Sequence, residues 1–230
     1  MSERYTYLLV NLCCLAGPLL LSFYPKFSFY RNWRYFIVPC LTVALLFLCW
    51  DILYTNLGVW GFNQQYTLGW SLFGLPLEEY LFFLCIPFAC VFTYHAFSRL
   101  FVFERYSGFV NKFYMFLSAC LLLTGLLYID RLYTSATFLL LAFTLAFFVY
   151  RKPSFLPGFF FSFLFILIPF VLSNGILTGS FIGRTVVHYN DQENIGLRLL
   201  TIPVEDIFYG KLLLLLNVWG YDYSCKKAGI

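Results

Sequence analysis

The chain has 230 residues, of which 61% are hydrophobic, 23% are aromatic and 11% are charged. Soluble domains contain about half apolar and about a quarter charged residues, so this composition excludes an ordinary soluble domain and indicates a single integral membrane unit. The formal net charge of +4 is small and the basic residues are scattered, which argues against a nucleic-acid partner, because nucleic-acid binding needs a basic face or stripe.

Long apolar stretches follow one another along the whole chain. A helix that crosses a bilayer needs about 20 mainly apolar residues. Because the first stretch lacks the basic start of a cleavable signal peptide, we expect it to be retained. The sequence predicts an all-α polytopic membrane protein with about seven transmembrane helices. These predicted helices cover residues 5–23, 35–53, 77–98, 113–129, 133–150, 157–174 and 204–220.

The distribution of Lys and Arg predicts how the helices are oriented, because the cytoplasmic loops of membrane proteins collect these residues. One side of the predicted bundle carries ten of them and the other side carries four. We therefore expect the amino terminus outside and the carboxyl terminus in the cytoplasm. As a separate expectation, the membrane is the inner membrane of a bacterial cell. The richer side holds Lys26, Arg31, Arg34, Arg99, Arg105, Lys112, Arg151, Lys152, Lys226 and Lys227, and the poorer side holds Arg4, Arg131, Arg184 and Arg198.

Two matched pairs of carboxylates begin the third and the seventh predicted helix. Residues 76–79 are PLEE and residues 203–206 are PVED. Proline and acidic residues both suit the first turn of a helix, so each motif alone could be only a helix-start signal. Ionisable groups in a membrane segment are costly and usually functional, and the repetition favours function. The candidate catalytic residues are Glu78, Glu79, Glu205 and Asp206, with Pro76 and Pro203 as supporting residues.

The motifs also indicate an internal repeat. The two longest connections, near residues 54–76 and 175–203, lead directly into the acidic helices and resemble matched lids. The sequence predicts a first half over residues 1–98, a linker helix over 99–132 and a second half over 133–230. A single linker helix restores the chain direction, so the halves can be parallel repeats about an axis along the membrane normal. This symmetry would bring the two acid pairs to one depth at a shared cavity.

Adjacent carboxylates in this setting fit acid and base roles. Neighbouring residues on a helix point about 100° apart, so the two acids of one pair should differ in role. A carboxyl group beside aromatic rings tends to keep its proton, while an ionised neighbour can accept one. Aromatic faces attract cations, so the combination fits protonation of a carbon–carbon double bond and shelter of the resulting carbocation. The candidate cation-stabilising residues are Tyr80, Phe82, Phe83, Phe208, Tyr209 and Trp60.

These residues resemble those of the small integral-membrane lycopene cyclases, in which two subunits or two fused halves each carry such a motif. The resemblance rests on WD at 50–51, GVWGF at 58–62, GLPLEEYLFF at 74–83 and IPVEDIFYG at 202–210, with Asn217 downstream. It covers nearly the whole chain and indicates the fused, single-chain form. The second motif ends in an aspartate where the first has a glutamate.

The resemblance implies a function for the chain. It implies that the linear ends of lycopene are cyclised to β-ionone rings, giving γ-carotene and then β-carotene without net redox change. Lycopene and γ-carotene would reach the protein from the lipid phase, and other membrane-bound carotenoid enzymes are possible partners. No cofactor is expected, since the chain has no GxGxxG dinucleotide signature. No metal is expected either, since no CxxC pair occurs among the eight cysteines.

Four further ionisable residues have more than one interpretation. Asp51 could support the acid pair as a hydrogen-bond partner, or it could be a solvated charge at a helix end. His95 is expected to be structural, and His188 could touch a substrate or face water. Lys211 could form a Schiff base as in a seven-helix rhodopsin, but we expect its side chain to extend to the membrane interface instead.

Two other functions remain open from the sequence. Parallel repeats of three helices joined by one linker also occur in small sugar exporters, in which intramembrane acids would bind a solute or relay protons. Against this, the sequence shows no prolines placed midway along corresponding helices of both halves to form a hinge, and the acids are predicted near one face rather than at the midplane. A membrane prenyltransferase would use acidic clusters to hold Mg²⁺ against a diphosphate, but here the acids are adjacent in sequence.

Overall fold

A computed structural model describes residues 3–229. The first two residues of the predicted first half and the last residue of the predicted second half lie outside this range. Within residues 3–229 the chain forms seven long α-helices, which confirms the predicted all-α polytopic fold. Short strands, which the sequence analysis did not predict, lie between some of them. The helices are Thr6–Ser22 (α1), Trp33–Asn56 (α2), Leu77–Leu100 (α3), Ser107–Leu127 (α4), Leu132–Arg151 (α5), Phe155–Leu177 (α6) and Val204–Lys227 (α7).

Six of the seven helices in the described part of the chain, α1 to α6, are long and apolar enough to cross a membrane. The last helix, α7, has 24 residues, as many as α2 and α3, but charged residues stand in both its first and its last turn. Its middle is apolar, and Leu212 to Leu215 are buried there. We therefore describe α7 as the inner helix of the bundle.

The two sets of three helices interlock. Helix α1 packs along α3, and α5 packs along α7 in the same way. The second helix of each set then packs against the third helix of the other set, α2 against α7 and α6 against α3. Helix α4 packs against α5 and α6. Helices α3 and α7, which begin directly after the two matched prolines, therefore share the centre of the bundle and run in the same direction.

Short strands join the two lids into one cap. Strand β1 (Trp60–Phe62) pairs antiparallel with β4 (Val187–Tyr189), and Gly61 stands opposite His188. Each lid also has its own hairpin, made by β2 (Ser71–Leu72) with β3 (Leu75–Pro76) and by β5 (Arg198–Leu199) with β6 (Ile202–Pro203). The alignment that superposes the two motifs also places Gly61 on His188, so the approximate twofold axis of the repeat passes through this pair.

The second helix of each set contains a proline, Pro39 inside α2 and Pro169 inside α6. Pro39 lies in the first third of α2 and Pro169 lies past the middle of α6, so the two helices do not share a proline midway along their length. The alignment of the two motifs places Pro39 on Ile166 rather than on Pro169, so the two prolines are not symmetry-related.

Candidate active site

The four motif acids lie at the same end of the bundle, directly under the cap. Each pair occupies the first turn of its helix, after Pro76 before α3 and after Pro203 before α7. These prolines are the last residues of β3 and β6, so the hairpins of the cap set where the acidic helices begin. All four carboxylates are deeply buried: Glu78, Glu79, Glu205 and Asp206 are 0%, 6%, 0% and 5% exposed.

A cavity of about 990 Å³ lies below the cap. Its walls come from α1, α3, α6, α7 and the strands β1 and β4, and they are mainly apolar. Three buried carboxyl groups line this one space: Asp51 from the end of α2, Glu79 from α3 and Asp206 from α7. One acid of each motif therefore reaches a shared cavity, together with an acid from outside the motifs.

The other acid of each motif is held in the cap instead. The carboxylate oxygen Oε1 of Glu78 accepts a hydrogen bond from the Leu68 backbone N–H at 2.6 Å, and Oε1 of Glu205 accepts one from the Ile195 N–H at 2.8 Å. Neither glutamate lines the cavity. Thr134 also donates to Glu205, at 2.6 Å. The structure thus divides the four predicted acids into an anchoring pair and a cavity pair.

Glu79 is connected to α1 and α2. The hydroxyl of Tyr7 on α1 donates a hydrogen bond to Glu79 Oε2. The Asp51 carboxyl lies within hydrogen-bonding reach of Glu79, and Asp51 Oδ1 accepts a hydrogen bond from the Tyr209 hydroxyl at 2.8 Å. Asp51 is 4% exposed, so it is a hydrogen-bond partner within the site rather than a solvated charge.

Asp206 receives three hydrogen bonds. Tyr133 on α5 donates to Oδ1 at 2.5 Å, while Asn174 on α6 and Tyr189 on β4 donate to Oδ2 at 2.7 and 2.9 Å. Burial and the nearby Asp206 raise the pKa of the Tyr189 hydroxyl well above its usual value, so this group stays a donor. Hydrogen bonds donated to a carboxylate favour its charged form.

The predicted aromatic residues fall into two groups. Trp60, Phe82 and Tyr209 line the cavity, and the Trp60 ring lies 5.0 Å from that of Tyr133 and 6.1 Å from that of Tyr209. The other three do not line it. The Tyr80 hydroxyl donates to the Leu72 carbonyl of the cap, Phe83 packs in the core against Phe47, and Phe208 packs against Phe138.

The sequence analysis did not identify four polar residues of the site. Tyr7, Tyr133, Asn174 and Tyr189 all line the cavity and donate to its carboxylates. The only available signal was that Tyr7 and Tyr133 stand at nearly equivalent places, close to the starts of α1 and α5. Tyrosine is common in this chain, so that signal alone is weak.

Lys211 does not extend to the membrane interface, contrary to expectation. It is 5% exposed, and its Nζ lies 3.9 Å from the centre of the Phe163 ring and 5.1 Å from that of Tyr114. The amine cannot reach the interface because α4 and α6 cover it. Nor is it a lining residue of the cavity.

Neither histidine lines the cavity. His95 is buried, and its ring nitrogens contact the Tyr221 hydroxyl and the Phe27 carbonyl, each at 2.8 Å. His188 belongs to β4 of the cap. In residues 3–229, no group of three or more His, Cys, Asp and Glu side chains is placed to hold a metal ion.

The chain was compared with protein-family models, curated proteins and solved structures. A family model described as Lycopene cyclase matches residues 4–97 and 130–224. The two matched segments contain α1 to α3 and α5 to α7, and the unmatched segment between them contains α4. No curated protein and no solved structure matches the chain.

Proposed function

The chain belongs to the lycopene cyclase family in its fused two-repeat form, and we propose that it closes the linear ends of lycopene into β-ionone rings. The first closure would give γ-carotene and the second β-carotene. Each product is an isomer of its precursor, so the protein would act as an intramolecular lyase, or isomerase, without a cofactor.

One observation carries this proposal: three buried carboxyl groups face a single, mainly apolar cavity. A hydrocarbon polyene has only double bonds to react, and its cyclisation needs a proton donor, a proton acceptor and a water-poor space between them. Carboxyl groups in different environments can take the two opposite roles. The cavity offers such environments at Glu79 and at Asp206.

Glu79 is our candidate proton donor. Two carboxyl groups can hydrogen-bond to each other only when one of them carries a proton, because ionised carboxylates are acceptors only. Asp51 is such a neighbour of Glu79, and like charges this close disfavour double ionisation. The pair therefore keeps one proton in the cavity. Asp51, held by Tyr209 and close to both Glu79 and Asp206, is placed to relay the proton that Asp206 has received back to Glu79 after each reaction.

Asp206 is our candidate proton acceptor. Its three hydrogen-bond donors stabilise a negative charge. In the proposed reaction, the Glu79 proton adds to the terminal double bond of the polyene and leaves a cation on the adjacent carbon. A neighbouring double bond closes the ring onto that cation, and the ring then loses one proton to Asp206. One proton enters and one leaves, so the product has the composition of the substrate.

Aromatic rings support the cationic stage. Trp60, Phe82 and Tyr209 line the same cavity as the acids. Electron-rich ring faces attract cations by about 0.5–2 kcal/mol or more in a desolvated site. We assign cation stabilisation to these three, and we assign a structural role to Tyr80, Phe83 and Phe208.

The anchoring pair has a separate role in this proposal. Glu78 and Glu205 bind backbone N–H groups at equivalent positions of the two lids, those of Leu68 and Ile195. We propose that they hold the cap over the cavity and take no part in proton transfer. This equivalence also supports the division of the chain into halves 1–98 and 133–230 with the linker 99–132, which stays a prediction.

The setting of the reaction is also a proposal. Six apolar helices fit a membrane protein. We propose that it lies in the inner membrane of a bacterium, and the distribution of basic residues favours an orientation with the acids near the outer face. Lycopene and γ-carotene would enter from the lipid, and other membrane-bound carotenoid enzymes are possible partners.

The proposed function is tested by expressing the chain in cells that accumulate lycopene and identifying their carotenoids by chromatography. We expect γ-carotene and β-carotene to appear and the cells to turn from red to orange. Cells that contain the protein in their membranes and hold only lycopene would overturn the proposal. Cells with rings other than the β type would refute the β-specific part alone.

A further inference from the structure

The cavity opens on one side of the bundle. Cys13 and Leu21 of α1, together with Ile168 and Leu172 of α6, line it and are also exposed on the surface. This exposed surface is apolar and faces the hydrocarbon when the helices span a bilayer. We call the gap between α1 and α6 the α1–α6 crevice. It connects the surface of the bundle with the carboxyl groups beneath the cap.

The symmetry-related crevice, between α5 and α2, is filled by aromatic rings. The alignment of the two motifs places Phe47 at the position of Asn174, and Trp50 at the position of Leu177. Phe47 is 3% exposed, and its ring lies 5.1 Å from that of Tyr209. Trp50 lies 5.2 Å from the same ring. Asn174 and Leu177 line the open cavity, whereas their counterparts close the other side.

The surroundings of the two cavity acids, Glu79 and Asp206, also differ between the two halves. The counterpart of Asp51 in the second half is Thr178, which directly follows α6 and whose hydroxyl donates to the Asn174 carbonyl of that helix at 2.8 Å. A second carboxyl therefore stands beside Glu79, while Asp206 has amide and hydroxyl donors instead. Although the chain is a repeat, its halves supply different parts of one acid–base set.

We propose that the α1–α6 crevice is the one entrance for the polyene and that both ring closures take place in this single composite site. After the first closure the new ring must withdraw through the crevice, and the other, linear end must enter. γ-Carotene is then a released intermediate that exchanges with the membrane pool. This inference rests on the proposed cyclase function.

Small residues on the α1 wall give the crevice its width. Gly17 lines the cavity, and a Cβ atom added there would meet nothing within 4 Å. A side chain can therefore start at this position without a clash at its Cβ atom, and a large one would narrow the crevice. Its counterpart on α5 is Thr144, which lies on the filled side and offers a matched control.

The test compares Gly17→Phe with Thr144→Phe in membranes from lycopene-accumulating cells, at equal protein levels. Gly17→Phe should slow both ring closures by roughly tenfold or more, because the obstruction must be displaced each time, whereas Thr144→Phe should stay within about twofold of the wild type. Wild-type membranes given isotopically labelled γ-carotene should produce labelled β-carotene.

A second pair of variants covers the case in which Gly17→Phe does not accumulate. Leu172→Trp narrows the crevice from α6, and Leu45→Trp adds the same bulk at the equivalent, exposed position of α2.

Two results would overturn the proposal of a single entrance. One is an equal loss of ring-forming activity in the two variants of a matched pair. The other is labelled γ-carotene that is never converted to β-carotene. A control variant that accumulates γ-carotene would reveal a second site. Failure of the cyclase function itself is distinct, because the wild type would then form no rings.

Discussion

Tyr7 and Tyr133 have the same role in the two halves of the chain. Each lies near the start of the first helix of its half, and its hydroxyl donates a hydrogen bond to the cavity acid of that half. The Tyr7 hydroxyl donates to Glu79 and the Tyr133 hydroxyl donates to Asp206. The environments of the two acids differ, however. Asp206 has two further side-chain donors, Asn174 and Tyr189, whereas Tyr7 is the one hydroxyl donor to Glu79 within residues 3–229.

This difference predicts unequal effects of removing the two hydroxyls. Tyr7→Phe should slow ring formation by about 10- to 100-fold, because the Tyr7 hydroxyl stabilises the negative charge that Glu79 gains as it gives up its proton, and a hydrogen bond to a charged group contributes about 1.5–3 kcal/mol. Tyr133→Phe should cost less, about tenfold or below, because Asp206 keeps two donors. Initial rates of carotenoid formation in isolated membranes measure both. Equal losses in the two variants would contradict the asymmetry of the site.

The anchoring role of Glu78 and Glu205 predicts that their amides retain activity. In Glu78→Gln and Glu205→Gln the side-chain carbonyl can still accept the backbone N–H of Leu68 or Ile195. We expect ring formation per folded molecule to stay within several-fold of the wild type, and thermal stability in detergent to fall, because the added amide N–H has no partner in a buried site. Complete loss of rings in either variant, with the protein folded, would place the substituted glutamate in the chemistry as well.

Asp51 should matter for repeated turnover. In Asp51→Asn the Tyr209 hydroxyl keeps an acceptor, but the amide cannot pass a proton to Glu79. We expect steady ring formation to slow by about 100-fold, within the range for loss of a positioned acid or base. Asp51→Glu keeps a carboxyl group and should recover part of the rate. A wild-type rate for Asp51→Asn would remove this residue from the proton path.

The buried amine of Lys211 leads us to predict that replacing this residue changes the stability of the protein and leaves its activity unchanged. Its amine is buried against the rings of Phe163 and Tyr114 and forms no ion pair among the described residues. Burying an unpaired charge is costly, so Lys211→Met, which keeps the side-chain length, should raise the detergent melting temperature. Ring formation should be unchanged. A loss of activity in a folded Lys211→Met protein would give this lysine a part in the function.

The sequence was informative where the signal is local. Apolar runs of bilayer length located the helices, and the repeated motif located the acids, because both depend on neighbouring residues. Boundaries were less accurate. Helix α4 begins at Ser107 rather than at residue 113. It includes Lys112, since a lysine near a helix end can extend its amine to the interface.

The composition of the site could not be predicted in the same way. Adjacent acids point in different directions, and only the packing of α3 and α7 decides that Glu79 and Asp206 face the cavity while Glu78 and Glu205 face the cap. Other donors to the cavity acids come from distant segments, on α1, α5, α6 and β4. The pairing of β1 with β4 involves strands of three residues, too short to give a sequence pattern, so the joining of the lids was not foreseen.

Carotenoid analysis of lycopene-accumulating cells that express Glu79→Gln or Asp206→Asn tests the central claim most directly, since each change removes one proposed partner in proton transfer and nearly preserves side-chain size. With each variant present in the membrane at the wild-type level, the account predicts that lycopene remains and that neither γ-carotene nor β-carotene accumulates. Wild-type amounts of β-carotene in either variant would contradict it.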